Sequence, residues 1–326
     1  MTEKSNILFT LAEDEPHTTA DHFAVRFSVD ENDCYEFADG LKALGHTVYF
    51  ANWKDLSGDR LTRIFCDNEK RFVAPPALSS FDLAFVYKME GFLFDLPRFD
   101  RMVSLVERQC GLVVNHPRTI RHNIDKRYLW DLEERGIAVP ETLLVGEEVR
   151  NRLRRGEKMV LKPRCAERGY GALLAVDEGV LQLIAGKEDD YIAQEYLPSI
   201  RDGERSLVYL GNQFQHAVIK KPPLSNPSEF RCNMTLGGTV EVYEPTESEL
   251  RFSQRVIDTY ASMGYEVHFS RVDIVAGSDG PVLIEAELLN PSIYANYSKR
   301  GKEFGETIAR YFDRLIQVHL PSKRTR

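Results

Sequence analysis

Several shortages in this 326-residue sequence each exclude a class of protein. There are only five cysteines, at 34, 66, 110, 165 and 232, odd in number and never spaced C-x-x-C. That scatter argues against a zinc site or a disulfide framework and fits a reducing compartment. No apolar run approaches the roughly 18 residues a membrane-spanning helix needs. Met1 to Asn6 lead straight into strand-like Ile7-Leu8-Phe9-Thr10, with no apolar h-region or small-residue cleavage site, so the expected location is the cytoplasm. Positive charge is in deficit: 42 Lys and Arg face 50 Asp and Glu, a net charge of -8, and no basic cluster tracks through the chain. Neither a nucleic acid nor a membrane is therefore an expected partner. No G-x-G-x-x-G follows the first strand, so the dinucleotide fingerprint is absent.

What is present is an ordinary globular composition, 43% hydrophobic and 28% charged, in a chain long enough for two or three domains. Residues 1–116 alternate strand and helix signals. Strands are expected at Ile7 to Leu11, Thr47 to Phe50, Leu83 to Tyr87 and Leu112 to Asn115, with helices at Asp33 to Leu44 and Asp100 to Gln109. That order predicts an α/β domain with a parallel sheet. The long polar loop 12–32, with His17, His22 and Arg26, follows the first strand, where such sheets bind ligands. It reads equally as a plain connection. Pro117 then breaks the chain, and Thr119 can cap a helix that includes Arg121 and Lys126.

Met159 to Pro163 reads as a strand, followed by the loop Arg164 to Gly171 and a strand at Ala172 to Val176. The Gly169-Tyr170-Gly171 loop can offer backbone N–H groups to phosphate oxygens, although most such loops are turns. Tyr191 to Leu197 is a strand stopped by Pro198. Ser206 to Leu210 and Gln213 to Lys220 form a hairpin across Gly211-Asn212. Glu247 to Met263 and Glu303 to Val318 carry helical apolar stripes.

The chemistry concentrates at Arg271 to Val275 and Val282 to Asn290, two apolar runs around Gly277-Ser278-Asp279-Gly280. Asp273 lies on the first strand. Glu285 and Glu287, two apart on the second, share a face. Three carboxylates can thus approach one volume, where a hard cation such as Mg²⁺ would offset their repulsion.

Taken in order, these pieces resemble the ATP-grasp superfamily, nearest the glutathione synthetase-like branch of carboxylate–amine ligases. The residues that carry the resemblance are Val114-Asn115-x-Pro117 with Arg121 and Lys126, and Val160-Leu161-Lys162-Pro163 with Gly169-x-Gly171. Ala193-Gln194-Glu195-Tyr196-Leu197-Pro198, Asp202-Gly203-Glu204, Arg231-Cys232-Asn233, and Asp273 with Glu285 complete the set. It covers about residues 112–317. The usual Glu-x-Asn is here Glu285-Ala286-Glu287, which keeps an oxygen ligand; Asn290 is a neighbouring helper. Glu204 to Val208, His216 to Pro222, Gly237 to Val240 and Glu285 to Ser292 look more like a secondary-metabolism branch that includes the cycloserine-forming ligase, so glutathione as product is in doubt.

The resemblance implies an α/β fold in three parts. These are a substrate domain at 1–116 and two α+β subdomains clamping ATP, a lid at 117–190 and a catalytic part at 191–320. It implies ATP and two Mg²⁺, for which Mn²⁺ can substitute, and an acylphosphate attacked by an amine to give an amide, ADP and phosphate. Lys126 and Lys162 would meet the phosphates under a Gly169-Tyr170-Gly171 flap. Gln194, Glu195, Tyr196 and Leu197 would wall the adenine. Glu204, with Asp202 second, would take the ribose hydroxyls, and Asp273, Glu285 and Glu287 the metal. Arg231 would stabilise the transferring phosphoryl group, with Lys220 and Arg271 as further candidates for phosphate or substrate carboxylate. Ser292, Tyr294 and Tyr297 either line the acceptor site or pack a loop, and Cys165 and Cys232 have no required role. The expected partners are a small carboxylate and a small amine; a homodimer is left open. An enzyme that cyclises a single amino-acid derivative and a non-catalytic nucleotide-binding module are the alternatives.

Overall fold

The computed structural model describes residues 4–11, 33–87, 89, 91–226, 228–289, 291–298 and 302–320. The loop 12–32 with His17, His22 and Arg26, together with Asn290, lies outside the described residues. The chain forms two compact units. One takes in Met1–Ile120, Glu266–Ser270 and Leu288–Arg326, the other Arg121–Tyr265 and Arg271–Glu287. No helix among the described residues is long and apolar enough to cross a membrane.

In chain order the first unit holds β1 (Asn6–Leu11), α1 (Asp33–Ala43), β2 (Thr47–Asn52), β3 (Leu56–Ser57), β4 (Arg60–Leu61), β5 (Ile64–Cys66), β6 (Arg71–Val73), β7 (Leu83–Val86), α2 (Leu96–Gln109) and β8 (Leu112–Val114). Its main sheet runs β6-β5-β2-β1-β7-β8. The expected parallel sheet is the β2-β1-β7-β8 part, while β5 and β6 add an antiparallel edge. These edge strands are three residues long each, too short to show a period in the sequence. Ile7, Leu8 and Phe9 of β1 are buried on both sides, as a central parallel strand requires. Helix α2 starts a turn earlier than expected because Asp95 caps it, accepting from the Arg98 N–H, and Pro97 stands in its first turn.

Helix α3 (Pro117–Asn123) begins in the first unit and ends in the second, where it leads into α4 (Tyr128–Glu133), β9 (Thr142–Leu144), α5 (Glu147–Arg154), β10 (Met159–Pro163), β11 (Leu173–Ala175) and β12 (Tyr191–Glu195). Thr119 does not cap α3. It sits inside the helix, where its hydroxyl donates to the Glu266 carbonyl at 2.8 Å, and Lys126 lies beyond the helix end. The antiparallel sheet β11-β10-β12-β9 buries Met159, Leu161 and Ala193 against Val149 and Leu153 of α5 and against Leu181 and Ile184. Alternation then turns Val160, Lys162 and Gln194 to the other face.

The larger sheet comprises β13 (Glu204–Leu210), β14 (Gln213–Lys221), β15 (Thr239–Tyr243), β16 (Phe269–Ala276) and β17 (Pro281–Glu287), in the order β15-β14-β13-β16-β17. Helix α6 (Glu247–Ser262) starts with a Thr246–Glu249 capping box. It lies against the sheet face that carries Arg205 and Tyr209, through a Tyr209–Ser253 hydroxyl contact of 2.6 Å and an Arg205–Glu249 ion pair. Helix α7 (Lys302–His319) belongs to the first unit and packs on α1. The crossing is close: a Cβ on Gly40 would stand 2.7 Å from the Ala309 Cβ, so a side chain there cannot be accommodated without a shift.

Candidate functional site

Because α6 covers the face of the five-stranded sheet that carries Arg205, the residues one step along from Arg205 and its cross-strand partners present their side chains on the opposite face. That face carries Lys220 from β14, Glu204 and Ser206 from β13, Arg271 and Asp273 from β16, and Glu285 and Glu287 from β17. Glu204 is the cross-strand partner of Lys220, Glu285 of Asp273, and Glu287 of Arg271. Seven polar groups on one sheet face would be a poor core, and here Lys220 and Arg271 offset part of the charge of the four carboxylates. Asp273, only 1% exposed, accepts from Arg271 Nε at 2.8 and 3.1 Å, from the Arg271 terminal nitrogen at 2.8 Å and from Ser206 Oγ at 2.6 Å. Lys220 Nζ lies 3.6 Å away and also pairs with Glu204. Burial alone would raise the Asp273 carboxyl, but Arg271, Lys220 and the Arg271 and Ser206 hydrogen bonds together hold it well below the usual range. Burial pushes Glu204 up, the Asp273 charge adds to that, and Lys220 only partly opposes it.

Two lysines approach from other elements. Lys126 Nζ donates to the Ala166 carbonyl at 2.5 Å and lies 3.3 Å from Glu285. Burial works to raise the Glu285 carboxyl, yet Lys126 and Lys162 draw it below the ordinary value. The side chain of Lys162, half-buried near the end of β10, makes no hydrogen bond or ion pair among the described residues. Its ammonium is pushed down chiefly by burial; Glu285 opposes this and Lys126 adds to it.

The loop 164–172 is tied at root and tip. At the root, Asp125 accepts from Arg164 at 2.5 Å, and the Lys126 N–H donates to the Arg164 carbonyl at 2.9 Å. At the tip, Arg231 donates to the Gly169 carbonyl at 3.2 Å and Asn233 to the Arg168 carbonyl at 3.0 Å. Arg168, Gly169 and Gly171 all have positive φ, and a Cβ on Gly171 would stand 2.8 Å from Pro163. Tyr170 is exposed. Arg231 is further forked onto Glu229, at 2.8 and 2.6 Å, so its planar face is already engaged.

At the expected adenine hinge, the N–H groups of Glu195 and Tyr196 donate to the carbonyls of Glu141 and Lys158. The Leu197 N–H is given to no acceptor among the described residues. Gln194 is buried, donates to Thr142 at 2.9 Å and leaves its Oε1 without a partner. Asp202 is exposed at the end of a 3₁₀ turn, whereas Glu204 sits on the charged face. Ser292, Tyr294 and Tyr297 belong to the first unit. Burial raises both the Cys165 and the Cys232 thiols, the latter to about 12, so neither is a thiolate near neutrality.

The donor set on β16 and β17 is all oxygen, which suits a hard cation such as Mg²⁺. Asp273 and Glu285 stand on one rung and Glu287 on the next. Among the described residues no group of three or more His, Cys, Asp or Glu side chains is assembled as a metal cluster. The sequence reading passed over Ser206, Glu229, Asp125, Asn123 and Tyr128. Ser206 alone carried a signal, being two residues from Glu204 on a strand and so on its face.

Residues 135–297, half of the chain, match the family described as prokaryotic glutathione synthetase, ATP-grasp domain. The chain is 27% identical over 198 residues to glutathione synthetase of Thermosynechococcus vestitus, covering 58% of each. It is 24% identical over 249 residues to a probable alpha-L-glutamate ligase of Stutzerimonas stutzeri, covering 71% of this chain and 80% of the relative. The chain thus spans 58% of the length of that glutathione synthetase. Its fold is similar to that of D-cycloserine synthetase DcsG, with a TM-score of 0.73 and 18% identity over 95% of this chain and 99% of the other. D-alanine–D-alanine ligase from Bacillus anthracis is similar with a TM-score of 0.62 and 13% identity, covering 99% of each chain. The chain belongs to the ATP-grasp family of the prokaryotic glutathione synthetase type.

Proposed function

We propose that this chain is an ATP-dependent carboxylate–amine ligase acting on small amino-acid-like substrates in the cytoplasm, within secondary metabolism. The observation that carries the reading is the polar sheet face, with Asp273 and Glu285 on one rung, Lys126 against Glu285 and Lys162 without a partner. A buried Asp273 and a half-buried Glu285 beside an unsatisfied ammonium are a poor device for stability and a good one for a polyphosphate with its cation.

In this reading the Leu197 N–H takes the adenine edge, and Gln194, Glu195 and Tyr196 wall the base. Glu204 takes the ribose hydroxyls, with Asp202 as the outer alternative. Lys126 and Lys162 neutralise the phosphates while Gly169, Tyr170 and Gly171 cover them. Asp273, Glu285 and Glu287 would hold Mg²⁺, one ion or two, which would screen the phosphate charge; Mn²⁺ suits the same oxygens. Arg231 must exchange Glu229 for the transferring phosphoryl group, whose oxygens its planar fork matches. Arg271 and Lys220 act as counter-charges that hold Asp273 ionised and partly offset the burial of Glu204, rather than as phosphate ligands. A substrate carboxylate oxygen attacks the γ-phosphorus and ADP leaves. The amine nitrogen then attacks the acyl carbon, phosphate leaves, and the amine proton passes to solvent or to a phosphate oxygen.

The fold similarity to D-cycloserine synthetase keeps a cyclising variant beside this one, with a single substrate supplying both groups. ADP release from Mg-ATP with pools of amino acids and dipeptides, followed by mass spectrometry, separates them. A product of two substrates minus water supports ligation, and one substrate minus water supports cyclisation. Intact ATP with every pool, including peptides, overturns both and leaves a nucleotide-binding module.

A further inference from the structure

The strand that carries Glu285 and Glu287 is clamped at the residue between them. β17 is the outer strand of its sheet, so alternate backbone groups along it have no strand to bond. At Ala286 both groups are satisfied by side chains instead. The Ala286 N–H donates to the Tyr128 hydroxyl at 2.9 Å, and the Ala286 carbonyl accepts from Asn123 Nδ2 at 2.7 Å. Asn123 Nδ2 also donates to the Tyr260 hydroxyl at 3.3 Å, which ties the amide to helix α6. All three side chains are buried: Asn123 is 7% exposed, Tyr128 3% and Tyr260 0%. Three residues earlier, the Leu283 N–H donates to the Ala138 carbonyl at 2.9 Å. Together these groups stand in for a missing neighbour strand.

A merely structural patch of an edge could lie anywhere along β17. This one grips the single residue flanked by the two carboxylates, through the peptide groups on either side of it, so a movement of Ala286 displaces Glu285 and Glu287 together. Burial, with the charges of Glu285 and Glu287 adding to it, keeps the Tyr128 phenol protonated, so the hydroxyl remains a neutral partner beside the acids. We propose that Asn123 and Tyr128 are positioning residues that fix the Glu285 and Glu287 carboxylates for cation binding, and so set how strongly the cation tightens nucleotide binding. This rests on the nucleotide and cation reading of the site given above.

The test is calorimetric titration of the full chain with ADP, in EDTA and across a range of Mg²⁺ concentrations, for wild type, Tyr128→Phe, Asn123→Ala and Glu285→Gln. Tyr128→Phe deletes one oxygen and keeps the ring, so it decides the matter if Asn123→Ala does not fold. The expected result is that metal-free ADP affinity stays at the wild-type value in Tyr128→Phe and Asn123→Ala. The Mg²⁺ concentration for half-maximal tightening should rise about tenfold or more, as for other outer-shell partners of metal ligands. Glu285→Gln should lose the Mg²⁺ effect. If Tyr128→Phe keeps the wild-type Mg²⁺ midpoint while Glu285→Gln loses the effect, the positioning role is overturned and the site reading stands. A fall in metal-free affinity without a change in the Mg²⁺ midpoint would mark the clamp as structural only, and also overturns it. Wild-type ADP binding that ignores Mg²⁺ overturns the site reading itself, and the inference with it.

Discussion

Replacing Lys162 with methionine should make the free protein more stable and its nucleotide binding much weaker. The ammonium ends a strand whose preceding residues are buried, and it finds no acceptor among the described residues. Burial pulls its titration below the ordinary lysine value of 10.5, against the opposing charge of Glu285. Between that depressed value and 10.5 the unfolded chain binds the proton more tightly than the folded one. Lys162 therefore subtracts from stability at neutral pH, and the deficit shrinks as pH rises toward 10.5. Methionine keeps the stem and removes the charge. The gain should be about 1 kcal/mol, in the range of other function-costing positions, which raises the melting temperature by about 2–4 °C. Loss of a charge-assisted bond to phosphate costs about 1.5–3 kcal/mol, a drop of about 10- to 150-fold in Mg-ADP affinity. Thermal melts without nucleotide and calorimetry with Mg-ADP read the two effects separately. A Lys162→Met protein that melts below wild type and binds Mg-ADP equally well refutes the assignment.

Asp273→Asn strips the counter-charge from Arg271 and Lys220, so urea unfolding should show a loss of about 3–5 kcal/mol; Arg271→Met in the same chain should recover much of it, and an unchanged single variant would contradict the buried pair. The Asp273 carboxyl is depressed on folding, so its contribution is present above the ordinary carboxylate range and is lost as pH falls below it. Acid titration of Asp273→Asn should accordingly give a flatter stability limb than wild type. Glu229→Gln removes the charged partner of Arg231 and loosens the tip of the 164–172 loop. Limited proteolysis within that loop should then be faster than in wild type, and cleavage at wild-type rate would count against the latch. Gly203 has φ 118°, and a Cβ there would stand 2.6 Å from Ile219 Cγ1. Gly203→Ala should cost about 1–3 kcal/mol in chemical denaturation, beside an otherwise intact Glu204–Lys220 pair, and a neutral result would refute the packing.

Much of the fold was legible from short apolar runs with clear stops. Met159 to Pro163 and Tyr191 to Glu195 are runs ended at or shortly before a proline, Gly211-Asn212 turns the hairpin within Glu204 to Lys221, and Glu247 to Ser262 shows a helical stripe with its cap. The short pieces β3 to β6 carry too few residues for a period, and helix α5 is so rich in Glu and Arg that its apolar stripe is reduced to Val149 and Leu153. Within the site, the two-residue spacing of Glu285 and Glu287 announced a shared face. The same rule applied to Arg271 and Asp273 points to their mutual pairing, which the phosphate-seeking reading of Arg271 overlooked. The contacts that hold the loop tip and β17 are not local. Arg231 donates to a carbonyl 62 residues away, and the Tyr128 hydroxyl accepts from an N–H 158 residues away, so no window of sequence contains both partners.

The most direct test of carboxylate activation follows the oxygen. With the substrate pool that supports ADP release, the carboxylate is labelled with ¹⁸O and the released phosphate is weighed. Transfer through an acylphosphate predicts one heavy oxygen in each phosphate formed with product. Unlabelled phosphate alongside ADP, or release of AMP and pyrophosphate in its place, would contradict the account.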